Sequence, residues 1–302
     1  MAKPRALRIS MNCRLRRGRA ARMEIAATWL ALLMPEFYDT HAHLDYPDFA
    51  VDLPQLVERA AAAGISRLVS IGTDLASSAR AVALAERFES VFAVAGWHPN
   101  DAVRAPKDFR AELRALAQHP KVIAIGETGL DYYRLPSANG GNAADDEQVK
   151  ARQAEAFQQQ LEVAAETGLN CVIHTRGECF DETLRQMEPF AGRVRGVFHC
   201  FVGSPEQMRR VLAMGSLVSF TGIVTFKNAA EVRATVAATP LGSFMLETDA
   251  PFLAPMPYRG KRCEPAHVAE IAAVVAQAKG CSSDELSAAT CRTARQFFAK
   301  LR

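Results

Sequence analysis

The stretch FYDTHAHLD, residues 37–45, is a short apolar run that ends on two histidines separated by one residue. Similar runs, each ending on a histidine or an acidic residue, recur further along the chain. They are VIAIGETGLD (122–131), CVIHTR (171–176), GVFHCF (196–201) and FMLETDAP (244–251). Short runs that are apolar on both faces are typical of buried parallel strands. In a barrel the carboxyl ends of such strands meet at one mouth, where active sites are built.

Strand-like and helix-like patterns alternate along the body of the chain. The predicted strands are Phe37–Thr40, Arg67–Ile71, Val91–Gly96, Val122–Gly126, Asn170–His174, Gly196–Cys200, Leu217–Phe220 and Phe244–Glu247. The predicted helices are Leu53–Ala63, Ser77–Phe88, Phe109–Gln118, Gln153–Thr167, Phe180–Glu188, Pro205–Met214 and Ala229–Ala238. This alternation predicts an α/β fold, a (β/α)8 barrel of the TIM type.

Three segments extend this basic pattern. A helix over His267–Ala278 is expected to close the barrel, and Ser283–Leu301 is expected to form an extra C-terminal helix, one or two turns packed outside the barrel. The long gap between the fourth and fifth strands holds a polar Gly/Asn insertion at 135–147. We expect this insertion to be a mobile loop on the mouth side, at the edge of the substrate cleft.

The positive charge of the chain is concentrated at its beginning. The formal net charge is +3, but residues 1–34 hold eight Lys or Arg against one Glu, which leaves −4 on the remaining residues. Bulk charge on the body therefore gives no support for nucleic-acid binding. The apolar run 25–34 imitates a signal peptide, but it is followed by no small-residue cleavage site and is too short to span a bilayer. We interpret 1–34 as a disordered or dispensable extension and 35–302 as one barrel domain.

The strand ends together offer six side chains that favour metal ions. They are His41, His43, Glu127, His174, His199 and Asp249. Neutral imidazole binds zinc and similar metals, and carboxylates also accept magnesium and manganese. One ion needs three or four protein ligands, so the set indicates two divalent ions (Mg, Mn or Zn), with Glu127 the best-placed bridge. Asp249 is suited both to bind one ion and to accept a proton from water. The sequence therefore predicts a metal-dependent hydrolase.

Eight motifs occur in a defined order between residue 37 and the C-terminus. They are DTHAHLD (39–45), GWHP (96–99), IGETGLDYY (125–133), VIHTR (172–176), FHCF (198–201), FTGIVTFKNA (220–229), LETDAPFLAP (246–255) and RGKRCEPAHV (259–268). In this order and spacing they resemble the TatD-type metal-dependent deoxyribonucleases, a branch of the amidohydrolase-like barrels. The resemblance implies a cytoplasmic divalent-metal phosphodiesterase that trims DNA from the 3′ end, a 3′-5′ exodeoxyribonuclease.

The resemblance also implies a role for each ligand. His41 and His43 would bind the first ion, with Glu127 bridging and Asp249 completing the site. His174 and His199 would bind the second ion together with Glu127. Asp249 and Glu127 would then be the catalytic residues, with Asp249 taking the proton from the attacking water.

Four further side chains are candidates for contact with the substrate. They are His98, Arg176, Lys227 and Arg259. His98 ends the third strand, where it can contact a phosphate, orient a metal ligand or cap the turn before Pro99. The three cations are suited to phosphate contact, but each is equally suited to pair with a neighbouring carboxylate.

Two rival functions stay open at this point. The same two-metal chemistry serves an amide or carboxylic ester hydrolase, such as an aminoacyl-tRNA deacylase, and the fold does not choose among them. A scaffold protein with a vestigial site is the second rival, although the complete ligand set argues against it.

The expected partner is DNA, single-stranded or at its 3′ ends, with no membrane association. The sequence does not specify an oligomeric state, and a monomer is the working expectation. Seven cysteines without a CxxC pair indicate a reducing compartment, which agrees with the cytoplasmic location that the resemblance implies.

Overall fold

The computed structural model describes residues 35–301, which contain a barrel of eight parallel strands. The strands are β1 (Phe37–Ala42), β2 (Ile65–Ile71), β3 (Val91–Ala95), β4 (Val122–Asp131), β5 (Asn170–Arg176), β6 (Gly196–Phe198), β7 (Leu217–Phe220) and β8 (Phe244–Leu246). Each strand pairs with the next along the chain. The ring closes just beyond β1 and β8, where His43 N donates to Ala250 O (2.7 Å) and Asp249 N donates to His41 O (2.8 Å). The predicted (β/α)8 barrel is confirmed.

The helices lie around the strands in the predicted order. They are α1 (Leu53–Ala62), α2 (Leu75–Arg87), α3 (Arg110–Ala117), α4 (Ala143–Thr167), α5 (Phe180–Met187), α6 (Pro205–Ala213), α7 (Ala230–Ala238), α8 (Val268–Lys279) and α9 (Ser283–Phe297). Except for α4 and α9, their ends lie within two residues of the predicted ones. Local sequence sets several of these ends. Ser204, for example, accepts the Gln207 N–H and so caps α6 in front of Pro205.

The connection between β4 and β5 is largely helical, so the expectation of a mobile polar loop over 135–147 was wrong for its second half. Helix α4 begins at Ala143, ten residues before the predicted start. Asn142 caps it by accepting the Asp145 N–H at 2.9 Å, and Asp145 and Asp146 add negative charge at the positive end of the helix dipole. The insertion therefore lengthens a helix that packs against β4.

The C-terminal helix α9 closes the bottom of the barrel, whereas the sequence had indicated turns packed outside. The Asn170 side chain, at the start of β5, donates to the Phe297 carbonyl at 2.6 Å. Apolar residues of α9 and of the chain after it share one buried cluster with strand residues. That cluster includes Tyr38, Val69, Phe92, Ile123, Val172, Val197, Leu217, Met245, Cys291, Ala294, Phe297, Phe298 and Leu301. The amphipathic pattern of α9 predicted a buried face, but not the surface against which that face packs.

Two earlier expectations concern the rest of the chain. The division into an extension at 1–34 and a barrel domain at 35–302 stays a prediction, because residues 1–34 lie outside the described part. Within the described part, none of the helices has both the length and the apolar character needed to cross a membrane.

The closure by α9 predicts a large loss of stability when its packing is removed. Phe298 is fully buried in the cluster at the bottom of the barrel, so Phe298→Ala should lower the free energy of unfolding by about 3–5 kcal/mol. Guanidinium unfolding followed by circular dichroism measures the change. Val51→Ala, at a site that is 90% exposed, serves as the control and should stay within about 0.5 kcal/mol of wild type. A loss at Phe298 as small as that of the control would contradict closure by α9.

Candidate metal centre

Strands β1 and β8 bring three of the predicted ligands together at one end of the barrel. His41 and His43 are separated by one residue, so their rings point to the same side of the extended chain. Asp249 follows β8 in a turn with a positive φ of 58°. Its Oδ1 lies 3.5 Å from His41 Nε2 and 3.3 Å from His43 Nε2.

Glu127 lies between two groups of imidazoles. Its Oε2 faces His41 Nε2 at 3.5 Å and His43 Nε2 at 3.7 Å. Its Oε1 faces His174 Nδ1 and His199 Nε2, each at 2.8 Å. The two oxygens of one carboxylate are therefore directed at two different histidine pairs, one before and one after Glu127 in the chain.

The sequence placed the predicted ligands at or beyond the strand ends, but Glu127 and His174 lie two or more residues before the ends of their strands. Glu127 is within β4 and His174 is within β5. The pairing between these strands is irregular from Ile125 to Thr128. Glu127 sits in this irregular stretch, while β4 continues for four more residues toward the mouth.

His98 belongs to the same cluster and also caps a turn. Its Nε2 lies 3.4 Å from Glu127 Oε1, on the side of His174 and His199. Its Nδ1 accepts the Asn100 N–H at 3.1 Å, at the start of the short helix Pro99–Arg104. The hydrogen bond at Nδ1 fixes the ring, so that Nε2 points into the centre.

Burial and charge act in opposite directions on these groups. Burial opposes ionisation of Glu127, but His199, His98 and His41 outweigh it and hold the pKa of this carboxyl well below its usual range. Burial, reinforced by His199, lowers the pKa of His41 and favours the neutral ring that metals bind. Burial also opposes protonation of His199, yet the Glu127 carboxylate raises the pKa of that imidazole well above its usual value.

The donor atoms fit a divalent cation. Among the described residues, His41 Nε2 and Glu127 Oε2 are buried and have no hydrogen-bond partner. Such atoms are costly to bury unless something binds them. The ligand atoms of His41, His43 and Glu127 lie within 4.8 Å of one another, and so do those of His98, Glu127 and His174. A mixed set of imidazole nitrogens and carboxylate oxygens suits zinc or manganese, and magnesium less well.

Two buried carboxylates behind the histidines were missed from the sequence. Asp131 Oδ2 lies 3.1 Å from His174 Nε2, the ring nitrogen that faces away from Glu127. Glu247 Oε1 lies 3.7 Å from His199 Nδ1 and accepts the Cys200 N–H at 2.6 Å. Carboxylates in this position orient metal-binding imidazoles and strengthen them as ligands. Their positions in the sequence motifs could have identified them, because each lies within four residues of a predicted ligand.

A third missed carboxylate, Asp39, fastens β1 to the chain after β8. Its Oδ1 accepts the backbone N–H of Thr248 at 2.9 Å, and its Oδ2 accepts the Thr248 hydroxyl at 2.6 Å. Burial raises the pKa of Asp39 to about 8, although the hydrogen bonds from Thr248 work against that rise. Thr248 directly precedes Asp249, so this contact sets the position of Asp249.

The centre lies at the bottom of a cavity of about 660 Å³ that opens at the mouth. Of the predicted substrate-contacting cations, Arg176 lines this cavity, and so does Arg134, which the sequence analysis had missed. Lys227 and Arg259 are exposed outside its described lining, and the Arg259 guanidinium lies 4.2 Å from the centre of the Phe226 ring. Contact of these two with a substrate stays a prediction.

Comparison with known proteins gives consistent matches along the barrel. Residues 38–299 match the family model described as TatD related DNase. The uncharacterized metal-dependent hydrolase YabD of Bacillus subtilis is 37% identical over 261 residues, which cover 86% of this chain and 98% of that protein. The 3′-5′ ssDNA/RNA exonuclease TatD of Cronobacter sakazakii is 34% identical over 270 residues, covering 87% and 98%. The crystal structure of YJJV, a TatD homologue from Escherichia coli, superposes with a TM-score of 0.77 at 28% identity, covering 87% and 98%.

The contact between Asp131 and His174 predicts a role in metal affinity. Asp131→Ala should weaken binding of a divalent ion about 10- to 100-fold, because the His174 ring loses the carboxylate that orients it. Calorimetric titration of Mn²⁺ into chelator-treated protein measures the affinity. Asp181→Ala, which removes an exposed carboxylate on α5, is the matched control and should leave the affinity unchanged. Equal affinity in the Asp131 and Asp181 variants would show that Asp131 does not support the centre.

Proposed function

This chain belongs to the family of TatD-related DNases and is a metal-dependent hydrolase, and from that premise we propose that it removes nucleotides from the 3′ end of single-stranded DNA with two divalent ions. Support for a nucleic-acid substrate and for this direction comes from the relative in Cronobacter sakazakii, named as a 3′-5′ ssDNA/RNA exonuclease. YabD of Bacillus subtilis is named only as a metal-dependent hydrolase, which leaves the substrate of this chain to be tested.

The observation that carries the two-ion proposal is the position of Glu127. With Oε2 toward His41 and His43, and Oε1 toward His174 and His199, this carboxylate would bridge two cations. Asp249 Oδ1, near His41 and His43, would complete the first site. This is the assignment that the resemblance implied.

When bound, two divalent cations would polarise the phosphodiester and make water a stronger nucleophile at neutral pH. Asp249 is the residue best placed to take the proton from that water, because its side chain lines the cavity and is 14% exposed. Burial opposes ionisation of Asp249, but hydrogen bonding to His43 and the other neighbouring imidazoles lower the pKa of this carboxyl. Asp249 is therefore a carboxylate at neutral pH and is free to accept a proton. Glu127 is only 2% exposed, so it acts by holding the ions rather than by touching the substrate.

We include a cytoplasmic location and a monomeric state in the same proposal. The six cysteines in the described part of the chain are all free thiols, which is typical of a reducing compartment. Four of the six are buried, and the sulfur atom of a fifth, Cys200, lies 3.6 Å from the Thr221 hydroxyl.

Asp249→Asn tests the proposed role of Asp249 as the proton acceptor. The amide keeps the shape and one oxygen but cannot accept the proton, so kcat should fall about 10²- to 10⁴-fold with little change in KM. Release of nucleotides from 3′-labelled single-stranded and duplex DNA, with Mg²⁺, Mn²⁺ or Zn²⁺, measures the effect. Asp108→Asn, at an exposed carboxylate paired with Arg110, is the control and should retain wild-type activity.

Two outcomes of this assay would contradict the proposal. Full activity of wild type in excess chelator would exclude a mechanism that needs metal ions. Absence of turnover on every DNA and RNA substrate, together with cleavage of an aminoacyl ester or an amide, would favour the rival hydrolase on the same barrel.

A further inference from the structure

The rim of the cavity is basic on one side and aromatic on the other. Because the strands follow one another around the ring, β4 and β5 lie opposite β8 and β1. Arg134 follows β4 and Arg176 ends β5, whereas Tyr46 follows β1 and Phe252 follows β8. All four side chains line the cavity, with the metal centre between the two sides.

The basic side is a built structure tied to the metal centre. Asp131 Oδ1 accepts the N–H groups of Tyr133 (2.9 Å) and Arg134 (3.3 Å), while its Oδ2 contacts His174. The Arg176 guanidinium lies 4.2 Å from the centre of the Tyr133 ring. Among the described residues, neither arginine forms an ion pair, so both charges are available to a ligand.

Glycine is required where the two basic loops meet. A Cβ at Gly177, which has a φ of +82°, would come within 2.7 Å of Tyr133 N. The close approach of these loops places Arg176 over Tyr133 beside Arg134. The backbone segments that carry Arg134 and Arg176 are therefore held together by close packing.

The aromatic side exposes a large ring. Phe252 is 48% exposed, an unusual state for phenylalanine. Its ring meets the Tyr46 ring edge to face, with 5.9 Å between ring centres. The Tyr46 ring in turn stacks on His43 at 4.9 Å, so the aromatic surface runs directly into the metal centre. Leu253, the next residue after Phe252, continues this apolar side of the cavity.

We propose that the 3′-terminal nucleobase stacks on Phe252 beside Tyr46, and that Arg134 and Arg176 bind the phosphate of the preceding nucleotide. This inference rests on the proposed function. With the scissile phosphodiester at the metal centre, the nucleosides on its two sides must extend from the centre in different directions. The terminal nucleoside carries no further phosphate and suits the aromatic side, whereas the rest of the strand carries one phosphate per residue and suits the basic side.

The chemistry of the two sides predicts low base specificity. Every nucleobase offers a π face to an aromatic ring, so stacking binds the terminal residue without selecting its sequence. Contacts from guanidinium groups to phosphate position the strand and likewise carry no sequence information. The arrangement suits an enzyme that removes successive terminal nucleotides of any kind.

Substrates with and without a terminal base test the aromatic side. The two substrates are a thymidine decamer and the same decamer ending in an abasic 3′ residue. Wild type should prefer the natural end by about tenfold in kcat/KM, and Phe252→Ala should bring the ratio close to one. Phe252→Tyr keeps the ring and should retain the preference. An equal loss on both substrates in Phe252→Ala would overturn stacking on Phe252.

A substrate without a preceding nucleotide tests the basic side. Thymidine 5′-(4-nitrophenyl phosphate) has the terminal nucleoside and the scissile phosphate but no second phosphate. The double variant Arg134→Ala/Arg176→Ala should lose about tenfold in kcat/KM on the decamer and have a weaker salt dependence, but should be unchanged on the nitrophenyl ester. Arg193→Ala removes an exposed arginine that also lies over an aromatic ring, Phe190, but precedes β6 at the opposite end of the barrel. This control should match wild type on both substrates.

The outcomes separate this inference from the function on which it rests. An equal loss on the decamer and the ester in the arginine variant would overturn the phosphate contact while leaving phosphodiester hydrolysis intact. No turnover of the decamer, the abasic decamer or the ester by wild type would overturn the proposed function itself.

Discussion

The buried carboxylate of Glu127 is the constraint on which the rest of the centre depends. At 2% exposure it has little access to water, and burial alone would favour its neutral form. Five imidazoles within 3.7 Å of its oxygens reverse that preference. The result is a carboxylate anion enclosed by imidazole nitrogens. Under the proposed function, cations would satisfy such a site better than protons, because two ions would use both oxygens and the facing nitrogens at once.

Barrel closure puts the ligands from the two ends of the domain into one site. His41 and Asp249 are more than 200 positions apart, yet the Asp249 N–H donates to the carbonyl of His41 at 2.8 Å. Asp39 strengthens the same junction through its two hydrogen bonds from Thr248. The backbone contact that completes the sheet is therefore also the contact that positions Asp249 beside the histidines. A substitution that weakens this junction should therefore also displace Asp249 from the histidines of the proposed first ion site.

Sequence patterns predicted the barrel and its six candidate ligands because both depend on local rules. Alternating strand and helix patterns indicate a parallel barrel, and the carboxyl ends of its strands must share a mouth. Asp131 and Glu247 were missed because a sequence does not show which nitrogen of His174 or His199 faces the centre. That choice depends on ring rotation, which is set by packing.

The packing of α9 under the barrel was missed for a related reason, since an amphipathic helix specifies a buried face but not its partner. The start of α4, by contrast, is set by a local signal, the N-cap Asn142, which lies in a polar segment that resembles a loop.

The distribution of charge links substrate binding to the loaded state of the centre. Residues 35–302 carry a net charge of −4, so the body as a whole repels a polyanion. The described lining of the cavity contains two arginines, Arg134 and Arg176, and four acidic residues, Asp101, Glu127, Asp131 and Asp249. Without cations, those carboxylates would oppose a phosphodiester at the bottom of the cavity. Under the proposed function, two divalent ions would reverse the sign of the local charge where the scissile phosphate would lie. Under the proposed function, the ions are therefore needed for the substrate to enter as well as for its hydrolysis, and the protein without ions should bind nucleic acid weakly.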